Sequence, residues 1–245
     1  MPWSLGRIHV KTTYQERFVH IRFTGLNIAK VLLAFTFSFT LSSTLLAQNN
    51  TIDAVSAKLT IDQNLGDIHL SGDKLTINAH KGSDLFTSAD GKSSTDASPR
   101  VLFSPKGDFI FSAKISVDFH KPYDGAALLL YGDKLNWGKL LFEKFKSGHY
   151  GIATTVSRGF GDDVYHGTRS GESQYLKIVR RGALFVFYSS DNGKDWNMLR
   201  NFGFQYSGDI KLGFTAQSPL SESFEAVFSE IQYREKSFED FWQGE

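Results

Sequence analysis

YDGAALLLYGDKLNWGKLLFEKF, residues 123–145, reads as two β-strands joined by a turn. An apolar run covers 126–131, turn residues fill 132–136, and a second strand covers 137–145. Side chains alternate along a strand, so Trp137, Lys139, Leu141 and Glu143 share one face while Leu140 and Phe142 share the other. The even face is core. The odd face sets an indole, an ammonium and a carboxylate side by side, the combination that a polyhydroxylated ligand requires. Lys139 and Glu143 stand about 13 Å apart along an extended strand, too far to pair directly.

The same grammar recurs outward from this hairpin. Short runs rich in Val, Ile, Phe and Tyr lie at 74–79, 100–103, 108–119, 150–157, 174–179, 183–189, 196–202, 209–216 and 224–233, separated by turn residues. No long 3.6-residue period interrupts them, so little helix is expected. Within 108–119, Phe109, Phe111, Ala113, Ile115, Val117 and Phe119 alternate with Ile110, Ser112, Lys114, Ser116 and Asp118. A face that apolar must be covered by a second sheet. The fold class is therefore all-β, an antiparallel two-sheet β-sandwich.

Composition agrees with one large β-core: 14% of the 245 residues are aromatic and only 5 are proline, leaving no Pro-rich linker. The formal charge of +1 hides an asymmetry. Residues 1–30 carry Arg7, Lys11, Arg17, Arg22 and Lys30 against Glu16, and the remainder holds 22 basic and 25 acidic residues. The body is mildly acidic. It lacks the concentrated basic face that nucleic acid binding needs. With no cysteine, disulfides, thiolate metal sites, cysteine nucleophiles and a lipoprotein anchor are all excluded.

Residues 27–48, NIAKVLLAFTFSFTLSSTLLAQ, follow the plan of a secretory signal peptide, with a lysine, an apolar stretch and small residues ending at Ala47. Cleavage is expected between Ala47 and Gln48, although Leu45 is larger than the residue preferred there. The competing reading is a retained membrane anchor, since residues 31–47 just reach the length of a spanning helix. Because 25 further residues precede the leader, a true start at Leu26 is expected. The domain plan is a leader region over 1–47, a polar lead-in over 48–66, the sandwich over 67–235 and a tail over 236–245, forming a short helix or a frayed end. The expected location is periplasmic or secreted.

Three local patterns bear on chemistry. Residues 189–196, SSDNGKDW, complete S-x-D-x-G-x-x-W, similar to the Asp-box hairpin of sialidases. Ser189, Asp191, Gly193 and Trp196 form a structural turn here, Asp191 bonding turn amides and Gly193 taking positive φ, because a turn motif performs no chemistry. Glu143 is the candidate carboxylate. Glycoside hydrolysis needs two carboxyl groups across the scissile bond, and its own strand offers no second one, so a partner must come from Asp124, Asp162 or Asp163. Asp162 and Asp163, in an acidic loop after Arg158, supply oxygens of the kind calcium takes, against the default of a solvated loop. The histidines form no H-x-x-x-H array, and G-x-S-x-G and phosphate-binding glycine loops are absent.

Taken in order, Gly107-Asp108-Phe109, Tyr123-Asp124-Gly125-Ala126, Trp137-Gly138-Lys139, Phe142-Glu143, Arg158-Gly159, Asp162-Asp163, Tyr188-Ser189-Ser190-Asp191 with Trp196, Gly213-Phe214 and Ala216-Gln217-Ser218-Pro219 resemble the bacterial and fungal family named for regulation of enolase. The resemblance covers residues 80–233. It implies a concanavalin A-like jelly roll of the lectin and glucanase superfamily, which includes sugar-binding domains and glycoside hydrolases. One position departs from the family pattern: Gly138 stands where isoleucine is expected, which loosens that strand.

The reading that follows is an exported, non-catalytic sandwich that binds a carbohydrate or glycan. Trp137 stacks on a sugar ring, Glu143 accepts hydroxyl protons, Lys139 and Arg158 donate, and Asp124 adds a further polar contact. Two rivals stay open: a glycoside hydrolase using Glu143 with a loop aspartate, and a structural or protein-interaction module presenting a flat polar face.

Overall fold

The computed structural model describes residues 51–245. The leader, its cleavage point and the alternative start at Leu26 lie outside these residues.

Two seven-stranded antiparallel sheets face one another. The first runs in the order β1 (Thr60–Asp62), β6 (Arg100–Phe103), β15 (Lys211–Gln217), β8 (Gly125–Asp133), β9 (Asn136–Lys144), β10 (Tyr150–Arg158) and β11 (Gly161–Thr168). The second runs β14 (Asn197–Gly203), β13 (Leu184–Ser190), β12 (Ser173–Arg181), β7 (Phe109–Val117), β16 (Ser223–Arg234), β3 (Lys74–His80) and β2 (Gly66–Ser71). A short flap, β4 (Leu85–Thr87) paired with β5 (Ser94–Asp96), completes the strands. No helix forms among the described residues. The expected all-β sandwich is thus observed.

The core lies where the alternation puts it. Phe109, Phe111, Ala113 and Ile115 of β7 meet Leu140 and Phe142 of β9, Phe214 of β15 and Phe228 of β16 in one continuous buried cluster. Phe111 and Phe214 pack edge-to-face with centroids 5.1 Å apart, as do Phe214 and Phe228 at 5.0 Å. Each such ring contributes burial worth roughly 2–3 kcal/mol, so the facing aromatics clamp the two sheets. Gly138 does not loosen β9. The strand pairs with β10 throughout and with β8 on both sides of Gly138, and the space a side chain would fill is closed by Phe187 and Phe202, each about 3.5 Å from where a Cβ would lie.

Four expectations are corrected. The lead-in is part of the fold: Ile52, Val55 and Leu59 enter the main core and β1 pairs with β6. Asp162 and Asp163 belong to a strand, not a loop; β11 is a polar edge strand with almost no apolar side chain to mark it. The turn after β13 is built by different atoms than the motif implies. Ser190 Oγ accepts the amides of Asn192 and Gly193, and Asn192 Oδ1 accepts those of Lys194 and Asp195. Asp191 instead accepts from Gln174 Nε2, while Gly193 has φ +73° as required. Finally, the tail is neither helical nor frayed: it docks on the outer face of the second sheet, burying Phe238 beside Ile110, Val186, Tyr188 and Trp196.

Candidate functional site

The outer face of the first sheet, turned away from the core, carries the candidate site. On β9 this face holds Trp137, Lys139, Leu141 and Glu143; β10 adds Ala153 and Thr155, β11 adds Asp163 and Tyr165, and β15 adds Gln217. The flap lies across one half of it. Leu85 packs with Leu102, Leu129 and Trp137 in a small apolar cluster, Ser157 Oγ donates to Thr87 Oγ1, and Tyr131 Oη donates to Asp96 Oδ2 at 2.7 Å. Gly161 allows this close approach, since a Cβ there would fall 2.0 Å from the Thr87 carbonyl oxygen.

Where the flap ends, a cavity of about 400 Å³ opens. That size suits a small ligand or one or two sugar units. Its floor is Lys139, Leu141, Glu143, Ala153 and Thr155; Asp84, Phe86, Tyr123, Asp163, Tyr165, Gln217 and Pro219 form the walls. Lys139 Nζ donates to the Leu85 carbonyl at 2.8 Å and to Gln217 Oε1 at 2.6 Å, and Gln217 Nε2 donates to the Tyr123 carbonyl at 3.1 Å. One ammonium thereby ties the flap, the sheet and the 120–124 loop together. Phe86, Tyr123 and Tyr165 keep 38%, 38% and 64% of their surface exposed, although large apolar side chains elsewhere are mostly covered.

Glu143 is the chemical centre of this cavity. It is only 6% exposed, and its carboxyl group has no hydrogen-bond partner among the described residues. Burial pushes its pKa up to about 7; Lys139 opposes the rise, and Asp84 and Asp163 add to it. Asp163 accepts the Thr155 hydroxyl proton, and the Tyr165 phenol is held above its ordinary range by burial, then by Glu143 and Asp163. A larger cavity of about 510 Å³ lies between Ser104, Arg180 and Tyr206, but its arginine already donates to the Gly182 carbonyl and it contains no comparable buried carboxyl group.

The family model described as protein of unknown function, DUF1349, matches residues 66–236. The chain belongs to that family. Among solved structures, a functionally unknown protein from Saccharomyces cerevisiae superposes with a TM-score of 0.65 at 18% identity, over 72% of this chain and 95% of the yeast chain. The GH43 protein BlXynB of Bacillus licheniformis follows at 0.55 and 14%, covering 71% of this chain and 39% of its own. The xylan β-1,4-xylosidase of Bacillus halodurans gives 0.56 and 12%, covering 71% and 35%. The chain spans well under half the length of either hydrolase, and at these identities the likeness is one of fold. A comparison with curated protein sequences found no match. The enolase association stays with the sequence resemblance, since the DUF1349 description carries no function.

Of the site residues expected from the DUF1349 sequence, Lys139 and Glu143 meet in the cavity and three others do not. Trp137 is fully buried beneath the flap, its Nε1 donating to the Lys134 carbonyl at 3.3 Å, so it offers no ring face for stacking. Arg158 lies on the opposite face of β10 and donates to the Gly203 carbonyl at 2.6 Å. Asp124 is fully buried; it accepts the amides of His120 and Lys121 and the hydroxyl of Ser221. Its work is positional. The loop it braces holds Tyr123 at φ +71°, a left-handed conformation that costs roughly 1–2 kcal/mol for a side-chain-bearing residue.

Asp162 and Asp163 are split between the two faces of β11. Asp163 lines the cavity, whereas Asp162 pairs with Arg200 at 2.8 Å, so the two cannot converge on one calcium ion. Among the described residues no group of three His, Asp or Glu side chains is placed to hold a metal. The residues missed by sequence reasoning are Asp84, Phe86, Tyr165 and Gln217. Gln217 and Pro219 did stand in the ordered family pattern, which was the available signal for that wall.

Proposed function

We propose that this DUF1349 protein is an exported carbohydrate-binding sandwich whose ligand sits in the cavity between the flap and the 120–124 loop. The observation that carries the reading is Glu143: a buried residue whose carboxyl group takes no hydrogen bond among the described residues and opens onto a cavity walled by three exposed aromatic rings. A sugar needs both features, hydroxyl-accepting oxygens and an apolar surface for its ring face. Phe86, Tyr123 and Tyr165 take the stacking role that sequence assigned to Trp137. Lys139 and Gln217 donate. A flat protein-interaction face is disfavoured by the presence of this cavity of about 400 Å³ on the sheet.

A glycan-array screen followed by calorimetry on the purified protein tests this. Tyr165→Ala is expected to weaken binding about tenfold, the usual scale for one lost aromatic contact, while the fold is kept. If a correctly folded protein binds no glycan on the array, the reading fails.

One observation favours a second reading. Glu143, held partly protonated near neutrality beside Asp84 and Asp163, has the division of labour of a general acid facing a base. Under that reading Glu143→Gln binds polysaccharide but releases no reducing ends, whereas the native protein releases them.

A further inference from the structure

The charge inside the cavity is one-sided. Among the described residues Asp84, Glu143 and Asp163 line it against one ammonium, Lys139, two of whose three donors are directed at Leu85 and Gln217. Glu143 and Asp84 receive no hydrogen bond from any described side chain or amide, and Asp163 receives one, from Thr155. Of the three only Glu143 is buried, Asp84 being half-buried and Asp163 exposed, and a buried carboxylate without a donor is costly unless something brings positive charge to it. The walls offer the complementary surface: Phe86, Tyr123 and Tyr165 expose ring faces beside those carboxylates, the environment in which a cationic nitrogen is held by aromatic quadrupoles. Lys146 lines a separate depression beyond Tyr123 and Tyr165, so it does not neutralise the cavity.

We propose that the ligand carries a cationic nitrogen on its polyhydroxylated ring, as a hexosamine unit with a free amine does, and that sugars bearing carboxylates are excluded. This rests on the carbohydrate reading and narrows it. In the bound state the ammonium faces Glu143, Asp84 and Asp163, the aromatic rings cover the ring faces, and Gln217 and Lys139 meet the hydroxyls. A uronate would place a fourth carboxyl group among three, and an N-acetylated sugar would leave their charge unanswered.

The test is calorimetric titration of the full protein at about pH 6, where the sugar amine is charged. The probes are a glucosamine tetrasaccharide, its fully N-acetylated counterpart and tetragalacturonate. At least tenfold tighter binding of the free amine than of the N-acetylated form, with none for the uronate, is expected. Asp84→Asn should shrink that preference severalfold. Equal affinity for the amine and the N-acetylated form would overturn the charge inference and leave the carbohydrate reading standing; so would preference for the uronate. Binding of none of these probes, or of any glycan on the array, would remove both.

Discussion

Each sheet buries charged groups on its outer face, and two of them, Lys177 on the second sheet and Glu143 on the first, are treated in opposite ways. On the second sheet Lys177 is 1% exposed, lies 4.0 Å from the centre of the Trp196 ring, and donates to the carbonyls of Gln243 and Gly244 and to the Glu245 carboxylate. Tyr188 Oη and Arg181 fasten the same tail at the Phe241 and Phe238 carbonyls. That charge is enclosed by the chain itself. On the first sheet the flap stops short, and Glu143 is left buried with no donor among the described residues. A closed charge fixes a segment of chain, while an open one retains free energy that a ligand can recover.

The contrast breaks most visibly at Lys177. Lys177→Met leaves three tail oxygens without their donor and is expected to cost roughly 3 kcal/mol, a fall in melting temperature of about 6–12 °C for a domain of this size. Ligand affinity should not change, because the tail and the cavity lie on opposite outer faces. A variant that melts with the native protein would show that the tail contributes nothing to the fold.

Glu143 supplies the converse. Its carboxyl group ionises near pH 4.5 in the unfolded chain and at about 7 in the folded one, so the folded state holds more protons between those values. Stability is therefore greatest below pH 4.5 as far as this group is concerned, and is lost as pH rises through 7. The loss amounts to about 3 kcal/mol. Glu143→Gln should lack that decline: urea unfolding at pH 5 and pH 8 would show the variant gaining on the native protein at the higher pH. Parallel curves for the two proteins would place the ionisation of Glu143 in its ordinary range.

The smallest effect sharpens the boundary of the site. Asp162 is next to Asp163 in sequence but pairs with Arg200 on the other face of β11, 61% exposed. Asp162→Asn should shift stability by no more than about 0.5 kcal/mol and leave binding untouched. Asp163→Asn, one residue on, should weaken it.

How far these features could be read in advance follows from the range of the interactions. The alternation in β7 and the paired runs of the β8–β9 hairpin are local, so they gave the sandwich and the face shared by Lys139 and Glu143. What covers that face is not local. Trp137 is buried by a flap about fifty residues earlier in the chain, in the stretch 85–96, LFTSADGKSSTD, which reads as turn and carries no period. The same flap brings Phe86, with Asp84 just before it, to the cavity. Asp124 and Asp191 are a different case: both were recognised as acceptors, but the donors they meet, Ser221 and Gln174, come from distant strands and loops. Residue type carried the chemistry, and tertiary pairing decided its address.

The strand order has a kinetic consequence. In the first sheet β15 joins β6 to β8, and in the second β16 joins β3 to β7, so neither sheet is continuous until residues 211–234 are in place. Such non-local closure slows folding to the range of milliseconds to seconds typical of β-sandwiches. During synthesis the strands that precede residue 211 therefore emerge as two unjoined parts of each sheet, and only the last two strands weld them together.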